Sequence, residues 1–451
     1  MRNWSLTVFS ISLIAVSLEA QTPPPLVGLG DSLGEGVQSY DAAFQTQVNG
    51  YLNLIAGQMG VAFPLPLIQT GPLGVVDNVF DRYRLNPFAL ASNLAFSGAD
   101  STSILSQQAS PLIVDEPSLV LWPRPGSQIS IAQSLHSPLV ICWIGANDVL
   151  GSVTAFDQLN AAYIASQLTS TSVFNSNYQQ IATGLAAAGG KVVLANIPDV
   201  TEAAFLVTPQ DLVTFLGSDY GLAQGSYTTI VAMLLIKLGI DDGTILQNPD
   251  YVLDPSEVQL VENAITAFNQ SIATYAAQIN APVVDINSFS KSVIQNPPVI
   301  GTVTLTRSYL GGLFSLDGVH PSDIGYALVA NAFIQAIDSF YRMNIPQISS
   351  AQLVKILDAD PFVDFGNDLR VAGRPGVGLL ETLGPYLGVS GAFQYSPRVD
   401  KALGQRFMEK YLESQGKDPN MNWTRDEAIA AFHQIFRFRN SNLPREVKPV
   451  Q

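Results

Sequence analysis

Leu26-Val27-Gly28-Leu29 leads straight into Gly30-Asp31-Ser32-Leu33-Gly34. A short apolar run stopped by turn residues has the character of a buried parallel strand. A serine just past the carboxyl end of such a strand stands where open α/β sheets gather their reactive groups. Two later blocks complete the pattern. Gly145-Ala146-Asn147-Asp148 follows the apolar run 139–144, and Asp317-Gly318-Val319-His320 comes further on. A serine hydroxyl is a weak nucleophile until an imidazole takes its proton and a carboxylate holds that imidazole in the right tautomer. The chain supplies Ser32, His320 and Asp317 in that order of need. Of its three histidines, only His320 has an aspartate three residues before it.

Apolar runs suited to strands recur at 26–29, 93–96, 139–144, 192–196 and 283–286. Stretches with apolar positions at helical spacing, such as 42–59 and 257–279, lie between them. Alternating strand and helix predicts a parallel sheet covered on both faces. In that arrangement Ser32, Gly98 and Asn147 each fall at the carboxyl end of a strand. Gly30-Asp31-Ser32-Leu33-Gly34 also fits the G-x-S-x-G nucleophile elbow, but that elbow follows a strand in the middle of a large sheet and needs much more chain before the serine.

Ser32 in its Gly-Asp-Ser-Leu block, Gly98 in Asn93-Leu94-Ala95-Phe96-Ser97-Gly98-Ala99, Asn147 in Gly145-Ala146-Asn147-Asp148, and His320 resemble the four blocks of the GDSL lipases and esterases, the SGNH hydrolases. The resemblance covers about 26–343 and does not account for the C-terminal region. It implies a three-layer α/β/α fold with a flavodoxin-like parallel five-stranded sheet. The expected chemistry is hydrolysis of carboxylic esters, with Ser32 as nucleophile, His320 as general base and Asp317 orienting the imidazole. The backbone N–H groups of Ser32 and Gly98 and the Asn147 amide are the expected oxyanion donors. On its residues alone Gly98 reads equally well as a tight turn, while Asn147 at a strand end favours the donor role over a turn-forming one. Neither a cofactor nor a metal is expected, since the chemistry needs neither. Carbohydrate O-acetylesterase and acyltransferase activities of the same fold stay open. A binding module without turnover is the reading from another class, and it has no need of a nucleophile beside a base.

At 451 residues the chain has room for a large domain and a smaller one. Residues 1–20 read as a secretory signal peptide, 21–345 as the hydrolase domain and 346–451 as a mainly helical extension of unknown role. The expected destination is secreted, periplasmic or on the cell surface, with no integral membrane span after signal removal. Cys142 is the only cysteine, so no intramolecular disulfide can form. The net charge is −15, and residues up to Ile345 hold 9 basic against 25 acidic groups, the remainder 13 against 12. An acidic body argues against nucleic acid and against anionic membrane surfaces as partners. The resemblance implies a small-molecule, lipid or acylated-carbohydrate ester as substrate. Oligomeric state is open. The long connection 200–255 is rich in apolar residues, among them Phe205, Phe215 and Met233, which read as plain core rather than as an acyl pocket. Beyond 346, helices are expected at 398–414 and 424–438, the second opened by the capping box Thr424-Arg425-Asp426-Glu427.

Overall fold

The computed structural model describes residues 22–70, 82–111, 115–374, 393–394 and 399–440, so the expected signal peptide at 1–20 lies outside them. Four parallel strands form the central sheet: β1 (Val27–Gly30), β2 (Leu139–Trp143), β3 (Lys191–Ala195) and β4 (Val283–Val284), side by side in that order. Successive residues of a strand point to opposite faces. On β2, Val140 and Cys142 join one hydrophobic cluster while Leu139, Ile141 and Trp143 join another. Both faces of the sheet are therefore dry, which explains why its strands read as continuous apolar runs.

Helices supply the outer layers. In chain order they include α1 (Ser32–Glu35), α2 (Tyr51–Met59), α3 (Asn147–Thr154), α4 (Thr171–Ala187), α5 (Pro255–Gln278), α6 (Ile286–Gln295) and α7 (Asp323–Tyr341). Phe174 of α4 stacks on Phe268 of α5 at 4.1 Å on one side of the sheet. Tyr51 of α2 and Phe333 of α7 stack at 4.7 Å on the other, beside Trp143. The stretch 42–59 is not one helix. Its first part turns once at Phe44–Gln47, and Gly50, extended at φ −61 and ψ 147, starts α2 afresh.

Among the described residues the sheet has four strands, where the resemblance implied five. Segment 92–96 does run parallel beside β1: Gly28 N donates to Ser92 O at 3.0 Å, and Leu94 N donates to Gly28 O at 2.8 Å. Only Gly28 and Asn93 bridge, however. Asn93 turns the backbone on itself, its Oδ1 accepting Ala95 N at 3.2 Å while its Nδ2 donates to Gly34 O at 2.8 Å. Phe205, Phe215 and Met233 are buried in the cluster on the α4 side of the sheet, as plain core.

The C-terminal region forms helices at α8 (Lys401–Ser414) and α9 (Arg425–Asn440), close to the expected bounds. Glu427 Oε2 accepts Thr424 N at 2.7 Å, and Thr424 Oγ1 accepts Glu427 N at 3.3 Å, so the capping box closes. Phe407 and Phe432 pack at 5.3 Å and share the large core cluster with the 200–255 connection. Asp360 Oδ2 accepts Ile324 N at 2.8 Å at the start of α7, and Arg374 reaches Asp323 at 3.0 Å. The region is continuous with the core and touches the helix that follows His320. Truncating a fully buried phenylalanine leaves a cavity that neighbours only partly fill. Phe407→Ala is expected to cost about 3–5 kcal/mol, read from the shift in a urea unfolding curve.

Candidate active site

Ser32 is the first residue of α1, immediately after β1. Gly30 has φ +150, and a Cβ there would lie 2.3 Å from Trp143 O, so only glycine lets the chain leave β1 this close to β2. The amide of buried Gln128 grips the two peptides that flank the Gly30 Cα, accepting Gly30 N and donating to Gly30 O, each at 2.9 Å. Asp31 caps α1, with Oδ1 accepting Leu33 N at 3.0 Å. The nucleophile block is thus held by the Gly30 backbone and by the Gln128 and Asp31 side chains.

His320 Nε2 lies 2.8 Å from Ser32 Oγ, and His320 Nδ1 lies 2.7 Å from Asp317 Oδ2. A carboxylate facing Nδ1 keeps the proton there, which leaves the Nε2 lone pair for the serine hydroxyl. Asp317 is itself over-determined. Its Oδ1 accepts Val319 N at 2.7 Å and His320 N at 2.8 Å, Ser315 Oγ stands 3.2 Å away, and Oδ2 accepts Tyr40 N at 2.7 Å. Burial alone would push this carboxyl up; the adjacent His320 and these hydrogen bonds outweigh it and hold Asp317 below its usual range.

Gly98 sits at φ +76 in a loop clamped at three points. Ser97 N and Oγ both donate to Glu35 Oε2, at 2.7 and 2.6 Å. Asn147 Nδ2 donates to Ala99 O at 2.8 Å, and Ser101 N and Oγ donate to the Asp148 carboxylate at 2.8 and 2.6 Å. An amide nitrogen carries two protons, and Ala99 takes one of them. Beside Ser32 and His320 opens a cavity of about 140 Å³, lined mainly by apolar side chains.

A match to the family described as GDSL-like lipase/acylhydrolase runs over residues 26–333. The chain belongs to that family. It is thus a hydrolase of the SGNH type. No curated protein matches it. Among solved structures, an extracellular lipase from Streptomyces rimosus is similar at 17% identity and a TM-score of 0.36, over 69% of this chain and 98% of that one. An acetyl xylan esterase from Geobacillus stearothermophilus is similar at 14% identity and a TM-score of 0.34, over 70% and 95%.

Of the residues expected from the sequence, Ser32, His320 and Asp317 form one hydrogen-bonded row, Asn147 lines the cavity beside them, and Gly98 lies on the neighbouring loop that Asn147 holds through Ala99. Tyr40, Ser315, Glu35 and Gln128 are absent from that expectation. Tyr40 serves through its backbone N–H, which any residue but proline has, and it does so from a left-handed conformation at φ +62. Nothing in its side chain announces the contact. Glu35 lies three residues after Ser32, but its clamp on Ser97 is made only by the fold.

Several buried carboxyls are pushed up, chiefly by burial: Asp31, Asp148 and Asp360 to about 7 and Glu35, which also faces Glu116, to about 8. The folded protein therefore holds protons near neutrality that the unfolded chain has already released. Each such group contributes stability at lower pH that is lost as pH rises through its folded value. His433, pushed down to about 4 by burial, works the other way, but only below its ordinary value of 6.5. Between pH 6.5 and 8.5 the carboxyls decide the sign. Tm in a calorimetric scan is expected to fall by about 5 °C or more across that window.

Proposed function

We propose that this protein hydrolyses carboxylic esters through Ser32, His320 and Asp317. The reading rests on one observation above others: the unbroken chain of contacts from Asp317 Oδ2 through the imidazole to Ser32 Oγ, at 2.7 and 2.8 Å. Ser32 Oγ attacks the ester carbonyl and passes its proton to His320 Nε2. The C–O bond to the alcohol breaks, the imidazolium returns the proton to the departing oxygen, and an acyl-enzyme remains. Water then attacks the acyl carbon by the same route, its proton going to Nε2 and on to Ser32 Oγ as the acid leaves. Asp317, kept ionised below its usual range, steadies the imidazolium in both halves. The charge that develops on the carbonyl oxygen falls to the backbone N–H groups of Ser32 and Gly98 and the Asn147 amide. The clamps of Glu35, Asn147 and Asp148 on 97–101 preorganise the second of these donors.

The test is labelling of the folded protein with a fluorophosphonate, which phosphonylates a serine only when its base is in place. Adduct on Ser32, located by peptide mass, is the expected result; folded protein without adduct there sinks the reading. We also propose that the chain is exported with residues 1–20 as its leader, which N-terminal sequencing of extracytoplasmic protein would check.

A further inference from the structure

The cavity beside Ser32 and His320 takes its walls from two helices and the connections around them. Phe289 and Val293 come from α6, Leu328 and Val329 from α7, and Val200 and Leu313 from the connections. Away from the catalytic groups, Asp199, Glu202 and Ser290 also border it, each already holding a contact. Ser290 Oγ donates to Glu202 Oε2 at 3.0 Å, Asp199 Oδ1 accepts Thr201 Oγ1 at 2.7 Å, and Lys291 Nζ lies 3.7 Å from Asp199 Oδ2. The Ser290 and Lys291 contacts, with Asn287 N donating to Asn196 Oδ1 at 2.9 Å and Asn287 Nδ2 to Ile197 O at 3.0 Å, fasten the half-exposed α6 over the space. A sugar brings hydroxyls that each need a partner, and most of this wall is apolar side chain that offers none. An apolar group meets no such penalty.

Resting on the ester-hydrolase reading, we infer that this cavity holds the acyl chain of the substrate and that the natural acyl group is of medium length. Its volume of about 140 Å³ sets the length. An apolar cavity of this size accepts a benzene-sized group, so about six carbons fit before the chain must leave the walls. The acyl side is favoured over the alcohol side by the course of the reaction. The alcohol must depart and water must enter between the two halves, whereas the acyl chain stays attached to Ser32 Oγ throughout. An apolar wall suits the group that stays.

Two ester series separate the possibilities. One holds the p-nitrophenyl leaving group constant and lengthens the acyl chain from acetate through hexanoate and octanoate to palmitate. The other holds acetate constant and lengthens the alcohol. Expected is a kcat/KM optimum at hexanoate to octanoate, at least tenfold above both acetate and palmitate, with a flat alcohol series. Val293→Trp on half-exposed α6 fills the cavity and is expected to lower the hexanoate-to-acetate ratio at least tenfold, a ratio that is insensitive to the fraction of folded enzyme. Phe289→Ala is expected to move the optimum to longer chains. Ser32-dependent hydrolysis that is flat, peaks at acetate or palmitate, or follows the alcohol instead overturns the inference and leaves the ester reading intact. Fluorophosphonate labelling of Ser32 with no hydrolysis of any acyl ester overturns it too. Absence of both hydrolysis and labelling brings down the ester reading, and this inference with it.

Discussion

Ser32→Ala is expected to reduce kcat/KM for p-nitrophenyl butyrate by about 10⁴-fold or more, to within the residue that oxyanion donors and binding alone provide. The reasoning is chemical. Without Oγ no acyl-enzyme forms, His320 has no hydroxyl to deprotonate, and the only route left is direct attack by water in a site not built to position it. Removing one oxygen from a buried, well-held position should leave the fold untouched, because Ser32 lies in a turn fixed by Gly30, Gln128 and Asp31 and not by its own hydroxyl. The paired measurement is Tm: activity lost at unchanged Tm assigns the effect to chemistry. A variant retaining more than a tenth of the activity would overturn the nucleophile assignment.

Asp317→Asn is expected to lower kcat by about 10³- to 10⁴-fold with KM little changed. An amide at that position can present an N–H to Nδ1, which drives the imidazole proton to Nε2 and leaves no lone pair for Ser32 Oγ. It also removes the negative charge that steadies the imidazolium. The backbone donors of Tyr40, Val319 and His320 were arranged for a carboxylate, so the variant should also be less stable, by about 1–3 kcal/mol for one donor left facing a donor. Kinetics and thermal unfolding measured together separate the two effects. A fall in kcat no larger than the fall in folded fraction would remove Asp317 from the mechanism.

The strands were legible because each is buried on both faces, and double burial writes a continuous apolar run into the sequence regardless of where the chain goes next. Segment 93–96 has the same composition and runs beside β1, but pairs with it through a single bridge while the Asn93 side chain occupies the Ala95 N–H on the outer edge. Helical periodicity across 42–59 likewise passed over Gly50, whose effect depends on the conformation it takes. Ser32, Asn147 and the Asp317–His320 pair could be named from local blocks, since each carries a side chain whose type the chemistry demands. The distance between Ser32 and His320, 288 residues apart along the chain, is a matter of sheet order and of how α7 lies against it.

The sequence alone determined the alternation of strand and helix, the family blocks and the identity of the groups that meet at Ser32. Tertiary structure alone decided that Tyr40 turns its backbone N–H to Asp317, that Glu35 and Asp148 clamp the Gly98 loop, that the C-terminal helices join the core, and that α6 and α7 wall a mainly apolar cavity. The division follows from physics. Local pattern encodes which face of an element avoids water and which side chains carry chemistry. Backbone donors look alike at nearly every residue, and buried carboxyls and cavity walls acquire their meaning only from what the folded chain places against them.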